Sequence, residues 1–169
     1  MKTNRPKIAV PKTPLDIIID LITATIILLM FVYTAINYSE LPEIVPSHFN
    51  GKGEVDGRSD KYILWLLPCI GLVTFVGLYI LNKYPHIHNY MVNITEDNAL
   101  KNYRLSTRIV RFTNLFVAVV FSVVLFTIIQ TAQGHTLRLG SWFIPVIIGL
   151  SILLPIIILI YNQKINKSE

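Results

Sequence analysis

Four stretches of the chain run for eighteen or more residues without Asp, Glu, Lys or Arg: 21–39, 62–82, 112–137 and 139–163. They are 19, 21, 26 and 25 residues long, and about 20 helical residues cross a bilayer core of about 30 Å. The pattern predicts four transmembrane helices at about 15–38, 62–82, 112–132 and 141–162. Arg138 alone separates the last two runs, so a short polar turn around Gln133, Gly134, His135 and Thr136 joins them as a hairpin. The expected fold class is all-α, a single polytopic membrane domain over 1–169. Thr13, Pro14 and Asp16 form a helix-start signature: a capping hydroxyl, a proline suited to the first helical position and an acid three residues after the cap. The first helix then begins near Pro14, and Asp20 lies little more than a turn inside it. From there its carboxylate reaches the interface to pair with a nearby lysine or a polar helix neighbour.

Composition agrees with this pattern. The chain is 53% hydrophobic and 15% charged with a mean hydropathy of +0.55, against roughly 25% charged residues in soluble domains. High hydrophobicity argues equally against intrinsic disorder, and one cysteine cannot form an intrachain disulfide. The net charge of +5 would suggest nucleic acid in a soluble protein, so the placement of the basic residues decides its meaning. Four precede the first span, three lie in 39–61, five in 83–111, one at Arg138 and two at the C-terminus. By the positive-inside rule both termini and the 83–111 segment are cytoplasmic, and the other two loops are outside. Topology thus absorbs most of the charge, and no direct nucleic-acid partner is expected. The N-terminus, with Pro6, Pro11 and Pro14 and no small-residue cleavage pattern, reads as a short cytoplasmic tail.

Residues 41–61 carry more turn-forming chemistry than a simple connector needs. Pro42 and Pro46 bias the residues before them toward extended backbone, while Asn50-Gly51 and Asp56-Gly57 tolerate tight turns. A small folded, hairpin-like extracytoplasmic loop is predicted, with Ser59 capping the second span and Asp60 in its first turn.

On these residues the chain resembles the bacterial SdpI-type immunity proteins, whose N-terminal module is otherwise catalogued as a domain of unknown function. The shared pattern is Leu-Pro, a short gap, Pro-x-His-Phe-Asn, a Gly, Asp-Gly and a Lys at the next helix. It is matched by Leu41, Pro42, Pro46, His48, Phe49, Asn50, Gly53, Asp56, Gly57 and Lys61, within roughly residues 26–71. Pro85, Asn89, Tyr90 and Ile94-Thr95-Glu96 also look like stand-alone relatives of this module. Full-length relatives resemble six-span proteins with a second module, whereas this chain has four spans. The resemblance implies a multi-pass protein of the bacterial plasma (inner) membrane that protects against an extracellular membrane-active peptide toxin. It also implies a linked signalling role through a cytoplasmic regulator, a transcriptional repressor.

The residues themselves leave several chemistries open. His48, Asn50, Glu54 and Asp56 supply an imidazole and oxygen donors within nine residues, yet the spacing matches neither a helical zinc pair nor an EF-hand loop. No metal or other cofactor is expected. Asn50 and Asp56 could instead bond the turn backbone while His48 and Phe49 pack on helix ends, or the loop could recognise a peptide or headgroup. The candidate ligand-binding set is Pro46, His48, Phe49, Asn50, Gly53, Asp56, Gly57 and Lys61. His86 and His88 fall on the cytoplasmic side and cannot join His48, and His135 lacks a motif around it. Lys101, Arg104, Arg108 and Arg111 recur at intervals of three, four and three, forming one basic helical face that starts near Thr95. It serves as an anchor on anionic lipid or, as the resemblance implies, as a dock for the cytoplasmic regulator.

Cys69 has no base near it in sequence, and there is no nucleophile elbow or phosphate-binding glycine loop, so no enzyme is expected. Pro68, Pro145 and Pro155 could kink their helices. The Asn-x-Ser/Thr matches at Asn37, Asn93 and Asn166 read as chance patterns in a bacterial protein. The leading expectation is a binding protein that acts through its outer loop; the alternative is a small transporter or channel subunit using Asp20 and the prolines. Oligomeric state is left open.

Overall fold

The computed structural model describes residues 5–135 and 139–166. Thr136 and Arg138 of the expected turn lie outside them. The element order is α1 (Pro14–Asn37), β1 (Ile44–Phe49), β2 (Val55–Asp60), a 3-10 turn (Lys61–Trp65), α2 (Leu66–Leu81), a short 3-10 turn (Pro85–Ile87), α3 (Glu96–Ala132) and α4 (Phe143–Asn166). Four helical segments are long and apolar enough to cross a membrane: Pro14–Asn37, Lys61–Leu81, Glu96–Ala132 and Phe143–Asn166. The molecule is a multi-pass membrane protein, mostly helical, with one two-stranded sheet.

Two compact units are present, one made of 1–37 and 64–125, the other of 38–63 and 126–169. In the first, α1 begins as its sequence requires. Asp16 Oδ2 accepts from Thr13 N at 2.8 Å and from Thr13 Oγ1 at 2.7 Å, while Asp16 N donates to Thr13 Oγ1 at 3.4 Å, a reciprocal capping box. The buried stripe of α1 is Asp16, Ile19, Thr23, Ile27, Met30 and Thr34, spaced at three and four residues as one helical face requires. Leu21, Leu28, Leu29 and Ile36 are more than half exposed on the other side, the distribution of a helix solvated by lipid. Helices α2 and α3 meet through polar groups as well as apolar ones: Asn82 Nδ2 donates to Thr107 O at 3.2 Å and Asn114 Nδ2 to Phe75 O at 3.4 Å.

Between α2 and α3 the segment 83–95 folds onto a small hydrophobic core of Ile94, Ala99 and Tyr103, against which Val10, Tyr90 and Val92 pack. The N-terminal tail is tied to it. Arg5 donates to the carbonyls of His86 (3.2 Å) and His88 (2.7 Å) and lies over the Tyr90 ring, while Tyr103 Oη donates to Pro6 O at 2.9 Å.

In the second unit β1 and β2 pair antiparallel, with Ile44 opposite Asp60 and Phe49 opposite Val55. The register breaks on both sides of His48, skipping Ser47 on one strand and Asp56 on the other, so two bulges re-aim the residues around His48. Ser59 is not the cap of α2. It sits in β2, where its hydroxyl donates to Ser47 Oγ at 3.1 Å, and α2 begins only after the 3-10 turn, because strand pairing claims the backbone through Asp60. Pro68 and Pro145 occupy the third positions of α2 and α4, in the first turn, where a missing N–H costs no helical bond. Only Pro155 stands inside a helix.

Candidate functional site

The hairpin loop is closed by its own polar groups. Asn50 Oδ1 accepts from Lys52 N at 2.9 Å and Glu54 N at 3.1 Å, and Asn50 Nδ2 donates to Glu54 Oε2 at 3.1 Å. The backbone closes alongside, Asn50 N to Glu54 O and Gly53 N to Asn50 O, each at 2.8 Å. Gly53 takes a φ of +75° and has the Leu139 carbonyl where a side chain would begin, so glycine meets both a conformational and a steric demand. At Gly57 an added Cβ would lie 2.9 Å from His48 Cβ; glycine lets the strands approach at the bulge.

Lys61 is the clamp at the hairpin base. Its ammonium lies 2.9 Å from Glu43 Oε1, donates to Leu41 O at 3.4 Å and sits over the Tyr38 ring, while Lys61 N donates to Glu43 O at 2.8 Å. Val45 and Pro46 are buried in the same unit, and Phe49 is half-buried. His48 and Asp56 stand apart from this framework. His48 Nδ1 donates to Asp56 Oδ1 at 2.5 Å, with the two side chains 72% and 43% exposed. The carboxylate orients the ring through Nδ1, and among the described residues Nε2 has no partner. Chemically the pair can accept and donate hydrogen bonds at the exposed surface of the hairpin.

The basic face of α3 divides. Arg104 is exposed and Lys101 half-buried, whereas Arg108 and Arg111 turn toward the carboxylates of α1. Arg108 Nε lies 3.3 Å from Asp16 Oδ1, Arg111 Nε 3.2 Å from Asp20 Oδ1, and Arg111 NH1 3.7 Å from Asp16 Oδ1. Lys12 completes the cluster at 2.9 Å from Asp20, a lysine being one of the two kinds of partner expected for it. Desolvation alone would lower the Lys12 pKa, but hydrogen bonds to Asp20 and Tyr79 outweigh it and hold the ammonium above the ordinary lysine value. The sequence carried a signal for this cross-helix match. Asp16 and Asp20 are four apart and Arg108 and Arg111 three apart, so each pair occupies one face of its helix.

His88 is buried in the tail-binding segment. Its Nε2 donates to Leu81 O at 3.1 Å, so Nδ1 accepts from Ser106 Oγ at 2.7 Å and the ring is neutral. Burial lowers its pKa and pushes the neighbouring Tyr90 up to about 12. His86 is half-buried and edge-on to Tyr84, and Cys69 is an exposed free thiol. Among the described residues no group of three or more His, Cys, Asp or Glu side chains is placed to hold a metal ion.

Residues 25–72 match a protein family described as a domain of unknown function (DUF1648). The matched region runs from mid-α1 through the hairpin into α2. An uncharacterized protein of Archaeoglobus fulgidus is 32% identical over 71 residues, which cover 37% of this chain and 39% of that protein. The chain thus aligns with well under half of that relative's length. No solved structure matches.

Proposed function

We propose that this membrane protein acts by binding rather than catalysis, and that its β1–β2 hairpin recognises an amphipathic peptide or an envelope component outside the cell. The observation that carries this reading is the division of labour within the hairpin. Asn50, Gly53, Gly57 and Lys61 hold the fold, while the His48–Asp56 pair is exposed and, among the described residues, bonded only to itself. The placement of both termini and of 83–111 in the cytoplasm rests on the excess of Lys and Arg in those segments. The SdpI-like reading, protection of a cell from a membrane-active peptide toxin, gives the binding role a biological form.

The test is survival of a sensitive bacterial host expressing the wild type, His48→Ala or Asp56→Ala at matched membrane levels, challenged with membrane-active peptides. Protection by the wild type and its loss in both variants supports the reading. Equal protection by all three moves the site away from the hairpin.

A second reading, a small transporter or channel subunit, has its own support in the Asp16, Asp20, Arg108 and Arg111 cluster at one end of the apolar helices. Ionisable groups held within membrane helices often mark solute or proton paths. Solute flux into liposomes by the purified wild type, abolished in Asp20→Asn, would establish it; no flux in a folded sample would remove it.

A further inference from the structure

Beside the charge cluster, within the first unit, lies a cavity of about 220 Å3 lined in part by Lys12, Tyr79, Asn82, Lys83 and Arg111. Its charge is unbalanced. Lys12, Lys83 and Arg111 bring three positive charges to the cavity wall, and among the described residues no carboxylate lines it. The carboxylates of Asp16 and Asp20 are engaged by Lys12, Arg108 and Arg111, and Lys83 has no anionic partner among the described residues. Its ammonium lies 5.4 Å from the Tyr79 ring centroid, and that of Lys12 lies 4.4 Å from the same ring. Two cations gathered on one aromatic ring attract an anion, because the ring orients them without neutralising them.

One neutral group is poised to complement that anion. Tyr79 Oη accepts from Lys12 Nζ at 3.2 Å, so its own proton is available to a further acceptor. Asn82 donates through Nδ2 to Thr107 O, which fixes the amide orientation, since the flipped form would set two carbonyl oxygens against each other. Asn82 Oδ1 is thereby left without a partner, but it is closed off from the cavity as well as from solvent and offers a ligand nothing. The cavity therefore presents cationic and phenolic donors for an anion.

We propose that this cavity binds a phosphate group. Lys83, Lys12 and Tyr79 meet the phosphate oxygens. An anionic phospholipid headgroup has this chemistry, and so does a soluble phosphate. The inference is independent of the role given to the hairpin, because none of its residues belongs to that loop.

The test uses the purified full chain in neutral detergent and follows thermal unfolding during titration with phosphatidylglycerol, phosphatidylcholine or inorganic phosphate. Variants are Lys83→Gln, Tyr79→Phe, which keeps the ring, and Lys52→Gln, an exposed lysine of the hairpin turn, as control. Phosphatidylglycerol is expected to stabilise the wild type beyond phosphatidylcholine, with the apparent affinity about tenfold weaker in Lys83→Gln, reduced in Tyr79→Phe and unchanged in Lys52→Gln. Stabilisation by inorganic phosphate with the same dependence on Lys83, and none particular to phosphatidylglycerol, supports the site with a soluble ligand. Equal losses in Lys83→Gln and Lys52→Gln, or no stabilisation by either phosphate, overturn the proposal.

Discussion

Replacing Arg111 with methionine keeps an apolar stem on α3 and removes the guanidinium that reaches α1. That guanidinium lies 3.2 Å from Asp20 Oδ1 and 3.7 Å from Asp16 Oδ1, in a side chain only 7% exposed. Removing one partner of a buried ion pair costs about 3–5 kcal/mol, because the remaining charge stays buried without compensation. Here the carboxylates retain other cations, Lys12 at 2.9 Å on Asp20 and Arg108 at 3.3 Å on Asp16. The loss should therefore fall at the lower end, about 3 kcal/mol. For a chain of this length that lowers Tm by about 10 °C.

The assay is thermal unfolding in a single detergent, with Asp20→Asn and the double variant completing a cycle. Groups sharing a charge network couple by about 1–3 kcal/mol, so the double variant should be more stable than the sum of the two single losses allows. A loss below about 1 kcal/mol in Arg111→Met, or strict additivity across the cycle, would refute the argument. Arg111 would then be acting as a lipid anchor, and its approach to α1 would carry no energy.

Gly53→Ala should cost about 1 kcal/mol from the positive φ alone, and more because the methyl meets the Leu139 carbonyl; faster proteolysis within 41–61 would report it. Lys61→Met should loosen the hairpin base by about 1–2 kcal/mol, read as faster amide exchange at residues 41–45, and unchanged exchange would contradict the clamp. His48→Ala and Asp56→Ala should each leave stability within about 1 kcal/mol of wild type, since the pair is exposed. His88, held neutral by burial with its pKa below the ordinary 6.5, contributes fully above that value. Its contribution is lost as pH falls through the lower folded pKa, because the unfolded chain then binds the extra proton. Unfolding followed from pH 7.5 downward should show falling stability below about 6.5, with a smaller slope in His88→Gln.

The spans were legible because length and apolarity answer a single physical question, whether a segment can cross hydrocarbon. The start of α1 was legible too, since Thr13, Pro14 and Asp16 act within four residues. What escaped the sequence depends on pairing between distant segments. Ser59 has the chemistry of a helix cap, but its backbone is taken by β1, a competition visible only once the strands pair. Arg108 and Arg111 lie on a face shared with Lys101 and Arg104, so spacing alone gives one basic stripe. Only the position of Asp16 and Asp20 on α1 turns two of the four inward. Arg5 and Tyr103, which bind the tail to the 83–103 region, have no local signature at all.

The same reasoning bears on what a recurring loop pattern can mean. Of the motif residues in 41–61, Pro46 is buried, Asn50 closes the turn, Gly53 and Gly57 admit a carbonyl and a neighbouring strand, and Lys61 ties the base. Each is required by the hairpin whether or not anything binds to it. His48 and Asp56 differ, because an exposed side-chain contact adds little to stability and neither side chain is spent on the turn. Two bulges flank His48 at the point where it meets Asp56, and bulges commonly re-aim side chains near functional sites. A hairpin built only to connect two membrane helices needs neither the bulges nor the pair. On the binding role proposed above, variants at His48 and Asp56 therefore separate binding from folding in a way that variants at the glycines or Lys61 do not.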